Sequence, residues 1–118
     1  MNLVVGEKIE ARSHATFLNI VFKTSFKYYM RSIYNYSEDT VIWMIRIDSV
    51  ERDGFKNYFE NDYLVEYSDK NPTRTSKLYR HVLKIITEDN KRKYQYLGKY
   101  KFLSDKSSKN KRYFILSN

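Results

Sequence analysis

Apolar and polar side chains alternate along most of this chain, a spacing of two that marks strands rather than helices. Val4 to Glu10 reads as a short strand with Gly6 as a bend or bulge. Thr16 to Phe22 reads as a second, because Leu18, Ile20 and Phe22 recur at every other position. Val41 to Ile47 is the most apolar run; it is too short to cross a bilayer and predicts a central strand buried on both faces. Its Trp43 suits a core anchor, with a pocket wall as the alternative. Residues 48–69 are irregular and acidic apart from a strand at Tyr63 to Tyr67. The last third predicts a meander. Strands cover Leu78 to Thr87, Lys93 to Leu103 and Arg112 to Leu116, with a turn at Asp89-Asn90-Lys91.

One segment breaks the alternation. In residues 24–35, Phe26, Met30, Ile33 and Tyr34 stand near i, i+4, i+7 and i+8, which predicts an amphipathic helix capped by Thr24 or Ser25. Asn71-Pro72 predicts a turn, since the residue before proline avoids the helical region. The expected architecture is therefore α+β and β-rich. It is a curved antiparallel or mixed sheet, or a partial barrel, with about one helix at residues 24–35. A chain of 118 residues without a visible repeat suits one domain spanning 1–118.

Alternation is cleanest at Lys93 to Leu103. It places Tyr94, Tyr96, Tyr100 and Phe102 on one face with Gly98 between them, and Lys93, Gln95, Leu97, Lys99 and Lys101 on the other. The aromatic face is expected in the core; stacking on bases is the alternative.

Charge changes the picture more than composition does. The chain carries a net +8, yet residues 1–68 hold 8 Lys/Arg against 10 Asp/Glu and residues 69–118 hold 14 against 4. Codon bias accounts for abundant lysine and tyrosine but not for that segregation, which points to an anionic partner. Lys91, Arg92 and Lys93 cluster at one turn; Lys106, Lys109, Lys111 and Arg112 cluster at the next. Lys99 and Lys101 lie between them, so a positive stripe suited to a phosphate backbone is expected. With Arg74 and Lys77 upstream, the candidate nucleic-acid-binding set is Arg74, Lys77, Lys91, Arg92, Lys93, Lys99, Lys101, Lys109, Lys111 and Arg112. A solvated, lysine-blunted sheet edge is the alternative.

Other chemistry is thinly represented. Cysteine is absent, which excludes disulfides, thiolate nucleophiles and Cys-based metal sites. The two histidines, His14 and His81, are 67 residues apart in sequence and predict no metal site. Arg12-Ser13-His14 has the residue types of a small ribonuclease's acid–base and phosphate-binding group. Asp48, Glu51, Asp53, Glu60 and Asp62 read as a solvated acidic loop rather than a magnesium site. No Gly-rich phosphate loop or nucleophile elbow is present. No cofactor or metal is expected. The N-terminus lacks a signal-peptide core and no apolar run approaches a membrane span, so a cytoplasmic location without a membrane partner is expected.

Lys93-Tyr94-Gln95-Tyr96-Leu97-Gly98-Lys99-Tyr100 is a strand of the form aromatic-x-Tyr-Leu-Gly-x-aromatic, preceded by an apolar strand at Val82 to Ile86 and a polar turn. Asp62-Tyr63-Leu64 and Arg74-Thr75-Ser76 lie upstream in similar order, and Gly6-Glu7-Lys8-Ile9 is compatible with an opening strand. In these features the C-terminal half resembles the SRA, EVE and B3-like DNA-reading domains attached to restriction enzymes and methylation-dependent nucleases. The resemblance implies a curved or barrel-like sheet and DNA binding; it assigns no base-binding residue. The leading expectation is a non-catalytic nucleic-acid-binding domain, DNA rather than RNA. Two further readings stay open. One is a small inhibitor or adaptor, such as a phage-encoded anti-defence factor, that binds a larger nucleic-acid-handling protein. The other is a toxin-like ribonuclease working through His14.

Overall fold

The computed structural model describes residues 1–70 and 72–117. In chain order they form β1 (Lys8–Glu10), α1 (His14–Phe22), β2 (Ile33–Asn35), β3 (Thr40–Ile45), β4 (Lys56–Glu60), β5 (Tyr63–Tyr67), β6 (Tyr79–Glu88), β7 (Lys91–Phe102) and β8 (Lys111–Leu116). The class is α+β and β-rich with one helix. The strands make one sheet in the order β2-β3-β6-β7-β8-β5-β4, with β1 beside the first part of β7. All pairs are antiparallel except β3 and β6. A parallel pair needs a long crossover, and the β4–β5 hairpin lies within that connection. The sheet is curled but not closed into a barrel, since β2 and β4 end the path. Among the described residues no helix is long and apolar enough to cross a membrane. The Asn71-Pro72 turn falls outside the described residues at Asn71.

The helix lies elsewhere than the sequence pattern placed it. Residues 16–22, read as a strand, belong to α1, and residues 24–35, read as a helix, are irregular until they enter β2. Two spacings overlap in 14–22, and the helical one wins. Ala15, Phe17 and Leu18 are buried, Val21 and Phe22 pack beside them, and Ile20, which the strand reading turned inward, is 46% exposed. Ser13 caps the N-terminus, accepting from the Thr16 amide at 3.1 Å. Lys23 ends the helix in the left-handed region at φ 57°. Beyond it, the Asn19 side chain seizes the backbone of Phe26: its amide donates to the Phe26 carbonyl and its oxygen accepts from the Phe26 N–H, each at 2.9 Å. Those backbone groups are then lost to any helix over 24–35. Met30, a member of the expected apolar stripe, is 89% exposed, whereas Ile33 is buried in β2.

A bulge in β7 overturns the single aromatic face. Val82 pairs with Gly98, but Leu83 pairs with Tyr96, so Leu97 is an extra residue in the ladder. Gly98 sits at φ 117°, a conformation that side-chain-bearing residues rarely adopt. One inserted residue reverses the faces of everything after it. Tyr94 and Tyr96 pack with Phe17, Leu18, Ile42, Met44 and Leu83 on the face covered by α1. Tyr100 and Phe102 pack with Trp43, Val82, Leu64 and Phe114 on the other. The lysines divide likewise: Lys93 and Gln95 share the face of Lys84, while Lys99 stands beside His81.

That second face is the inside of the curl. Trp43 of β3 meets Phe114 of β8 with ring centroids 5.4 Å apart, although β6 and β7 intervene. A buried ionic group spans the same hollow. Glu66 of β5 accepts from Arg80 Nη1 of β6 at 3.1 Å and from Arg112 Nε of β8 at 3.1 Å, and Thr73 adds a hydroxyl at 3.0 Å. All three charged residues are at most 3% exposed. The Arg80 guanidinium packs against both Trp43 and Phe114, 4.3 Å from each centroid. Burial alone would raise the Glu66 carboxyl, but Arg80, Arg112 and Thr73 overcome it and hold the group below the ordinary carboxylate range.

On the helix side two histidine–tyrosine pairs close the core: His14 Nδ1 with the Tyr94 hydroxyl and His81 Nδ1 with the Tyr96 hydroxyl, both at 2.7 Å. Burial first, and then Arg92 beside His14 and Lys99 beside His81, lowers each imidazole to about 4.

Replacing Glu66 by Gln strands two buried guanidinium groups without a counter-charge and is expected to destabilise the chain by about 3–5 kcal/mol in urea unfolding. Glu10→Gln, which removes only an exposed partner of Lys91 at 3.8 Å, leaves the midpoint in place. The histidines add a pH dependence. They titrate lower folded than unfolded, where the ordinary value is about 6.5, so the unfolded chain binds more protons between those values. Their contribution is complete above about pH 6.5 and is lost as the pH falls through about 4. Urea titrations across that window should show stability falling with pH, and His14→Asn should flatten the slope.

Candidate nucleic-acid interface

A cavity of about 180 Å³ opens where the chain leaves β3, and it is built from both faces of the sheet. On the inside of the curl it is lined by Trp43, Phe55, Asn57, Glu66 and Arg74; on the helix side by His14, Met44, Arg46, Ile85 and Arg92. The loop between β3 and β4 supplies one wall. Asp53 and Gly54 both have positive φ, at 53° and 83°, and Arg52 and Phe55 exchange two backbone hydrogen bonds at 2.8 and 2.9 Å. This is the geometry that Asp-Gly favours in a two-residue hairpin turn. It folds Phe55 back until it is 8% exposed. Asp48 steadies the loop by accepting both Arg52 amino groups at 2.7 Å, and those bonds hold its carboxyl down to about 2.

The lining pairs flat rings with oriented polar atoms. The Arg74 guanidinium lies 4.5 Å from the centroid of Phe55 and donates to Ser32 Oγ at 2.6 Å. Trp43 and Glu66 form part of the floor and are fixed by the Arg80 stack beneath them. Among the described residues, Asn57 Oδ1 and Arg92 Nε are buried with no hydrogen-bond partner. A cavity of roughly 150 Å³ takes up benzene, so this one has room for a single six-membered ring.

The residues expected to contact nucleic acid are not all presented alike. Arg74 and Arg92 line the cavity. Arg112 is 3% exposed and spent on Glu66 and on the Lys109 carbonyl, so it faces inward. Lys93 and Lys111 bond to Glu88 and Glu60, at 3.1 and 2.9 Å, and Lys91 stands 3.8 Å from Glu10. Lys77 donates to the Ser37 carbonyl at 2.6 Å. Lys99 lies over the Tyr79 ring at 4.4 Å, while Lys101 and Lys109 are exposed. The continuous stripe is thus broken by the β7 bulge and by ion pairs. The turn at Lys91–Lys93 and the loop at residues 104–110 lie at opposite ends of β7, as the meander requires. Sequence reasoning missed Phe55, Asn57 and Arg46. Asp53-Gly54 was the available signal for the first two, since a tight hairpin there would have placed Phe55 and Asn57 at the start of a strand.

No protein-family model matches the chain, and no curated protein matches it. Among solved structures, the fold matches the 5-hydroxymethylcytosine-specific restriction enzyme AbaSI with a TM-score of 0.67 and 19% sequence identity. The match covers 94% of this chain but 41% of the enzyme, so the chain spans about two fifths of that protein's length. The sequence resemblance to DNA-reading domains attached to restriction enzymes rests on the last half of the chain; the likeness of fold to this enzyme covers nearly all of it.

Proposed function

We propose that this chain is a non-catalytic DNA-reading domain that holds one base, turned out of the duplex, in the cavity beside Trp43 and Phe55. The observation that carries this reading is a cavity sized for one heterocycle and lined by Trp43, Phe55 and Asn57, whose Oδ1 has no hydrogen-bond partner among the described residues. A base offers the matching parts: a flat face for Phe55, and an exocyclic amine to donate to a carbonyl oxygen. DNA rather than RNA is favoured by the shared fold with a restriction enzyme specific for a modified cytosine. Binding rather than cleavage is favoured by the state of the nearby carboxylates. Glu66 is held by two arginines and Asp48 by Arg52, so neither is free to take a proton from water. Extruding a base costs a few kcal/mol, and phosphate contacts by exposed cations such as Lys101 and Lys109 would help to offset it.

Fluorescence anisotropy with a labelled duplex tests the reading. Binding should weaken steeply with added salt, and Lys101→Glu with Lys109→Glu should lower the slope of log K against log salt by about one for each phosphate no longer neutralised. Asn57→Ala and Phe55→Ala should weaken binding to a duplex carrying 5-hydroxymethylcytosine by about 1–3 kcal/mol, with a smaller loss on unmodified duplex. Salt-independent binding, or no binding at low salt, would overturn the reading.

A further inference from the structure

The cavity has a second end whose chemistry differs from the first. On the concave side every arginine has a bonded or stacked partner: Arg80 and Arg112 share Glu66, Arg52 has Asp48, and Arg74 donates to Ser32 Oγ and lies over Phe55. The helix side is less well supplied. Arg46 follows β3 on the face of Ile42 and Met44, and Arg92 stands on β7 on the face of Tyr94 and Tyr96. Neither makes a salt bridge among the described residues. Asp48 feels the charge of Arg46, but both of its oxygens are taken by Arg52. Both arginines are half-buried, so they have given up part of their water without gaining a bonded counter-charge. Asp53 is also in the cavity wall, yet Arg46, Arg74 and Arg92 outnumber it.

We propose that Arg46 and Arg92 form a phosphate-binding subsite at the helix-side end of the cavity. It would hold the backbone phosphate of the nucleotide whose base occupies the other end. The proposal rests on the base-holding reading for the identity of the nucleotide, but on the unmatched arginines for the anion. Both guanidinium-bearing residues line the same cavity, and both are near enough to Tyr94 for their charge to oppose the rise that burial imposes on its hydroxyl. Arg92 also opposes protonation of His14, the next lining residue. His14 lines the same end of the cavity and is joined to Tyr94 through Nδ1 at 2.7 Å, so a phosphate held there would meet a neutral imidazole. Guanidinium groups suit this task because several N–H bonds point toward a single oxyanion.

NMR titration of the full chain with deoxycytidine, deoxycytidine 5′-monophosphate and inorganic phosphate tests it, read at the His14 ring and the arginine Nε signals. The monophosphate is expected to bind about tenfold tighter than the nucleoside. It should move the His14, Arg46 and Arg92 signals, as inorganic phosphate alone should at higher concentration. Arg46→Gln and Arg92→Gln should each reduce monophosphate affinity toward that of the nucleoside while leaving nucleoside affinity unchanged. Should Arg92→Gln lose its dispersed spectrum, Arg46→Gln carries the test. The exposed Lys27, which has no part in the proposed DNA contact, gives the neutral control as Lys27→Gln. Equal affinity for nucleoside and monophosphate, an unchanged ratio in Arg46→Gln, or no phosphate response at His14 overturns the subsite. Response to both phosphates without any response to deoxycytidine upholds the subsite and overturns the base-holding reading instead.

Discussion

The Glu66 carboxylate sets the shape of this protein. Strands β5 and β6 are three neighbours apart in the sheet, which in a flat sheet would separate them by about 14 Å. Glu66 and Arg80 nevertheless meet at 3.1 Å, and Arg112 reaches the same carboxylate from β8. They can do so only across the inside of a curl. Burying three charges is costly, and the structure offsets part of that cost: both carboxylate oxygens are occupied and Arg80 packs against Trp43 and Phe114, while Arg80 Nε and Arg112 Nη2 stay without a partner among the described residues. An apolar core would tolerate sliding of one strand past another. A carboxylate shared by two guanidinium groups tolerates very little, so β5, β6 and β8 are held in register with one another.

That constraint links the fold to the site. Glu66 and Trp43, which belong to the ionic stack, are also part of the cavity wall. The floor is therefore as rigid as the core, while the wall opposite is a hairpin loop braced by Asp48 and Arg52. The β7 bulge completes the arrangement. By reversing the strand's faces at Leu97 and Gly98, it lets Tyr94 and Tyr96 pack under α1 and Tyr100 pack inside the curl. It also divides one edge of β7 between β1, which pairs with residues 93–95, and β8, which pairs with residues 100–102.

The parts of this fold legible in the sequence are those decided by neighbours in the chain. Strand β5 lies at Tyr63–Tyr67 as read, β6, β7 and β8 within two residues of their expected bounds, and β3 is buried on both faces as its composition requires. Misreadings arose where a distant group decided the outcome. Residues 26–34 carry a helical spacing, but Asn19 captures the Phe26 backbone first. Leu18, Ile20 and Phe22 carry a strand spacing, but the Ser13 cap and the core beneath Phe17 and Leu18 select the helix. Tyr94, Tyr96, Tyr100 and Phe102 share an odd–even pattern that one extra residue cancels. A glycine at the centre of a strand was the visible trace of that bulge. Of the candidate site, Arg74 and Arg92 were found through charge alone; Arg46, Phe55 and Asn57 were hidden because a parallel crossover brings them together.

The charge asymmetry takes a more specific meaning from this geometry. Of the excess cations in residues 69–118, Arg80 and Arg112 are internal structural charges that share one carboxylate from the acidic half. Lys93 is held by Glu88 of its own half and Lys111 by Glu60 of the other. Part of the basic excess is therefore the complement of the acidic segment, expressed across the sheet, and contributes nothing to an outward field. What remains is unevenly placed: exposed lysines at the ends and along one face of β7, and half-buried arginines in the cavity wall. Long-range attraction of a polyanion needs only the first group, because its strength depends on number and exposure. Selecting where on that polyanion to stop needs the second, because desolvated guanidinium groups discriminate by geometry. A chain whose cations are sorted in this way separates attraction from recognition, and the bulge and the buried carboxylate are what do the sorting.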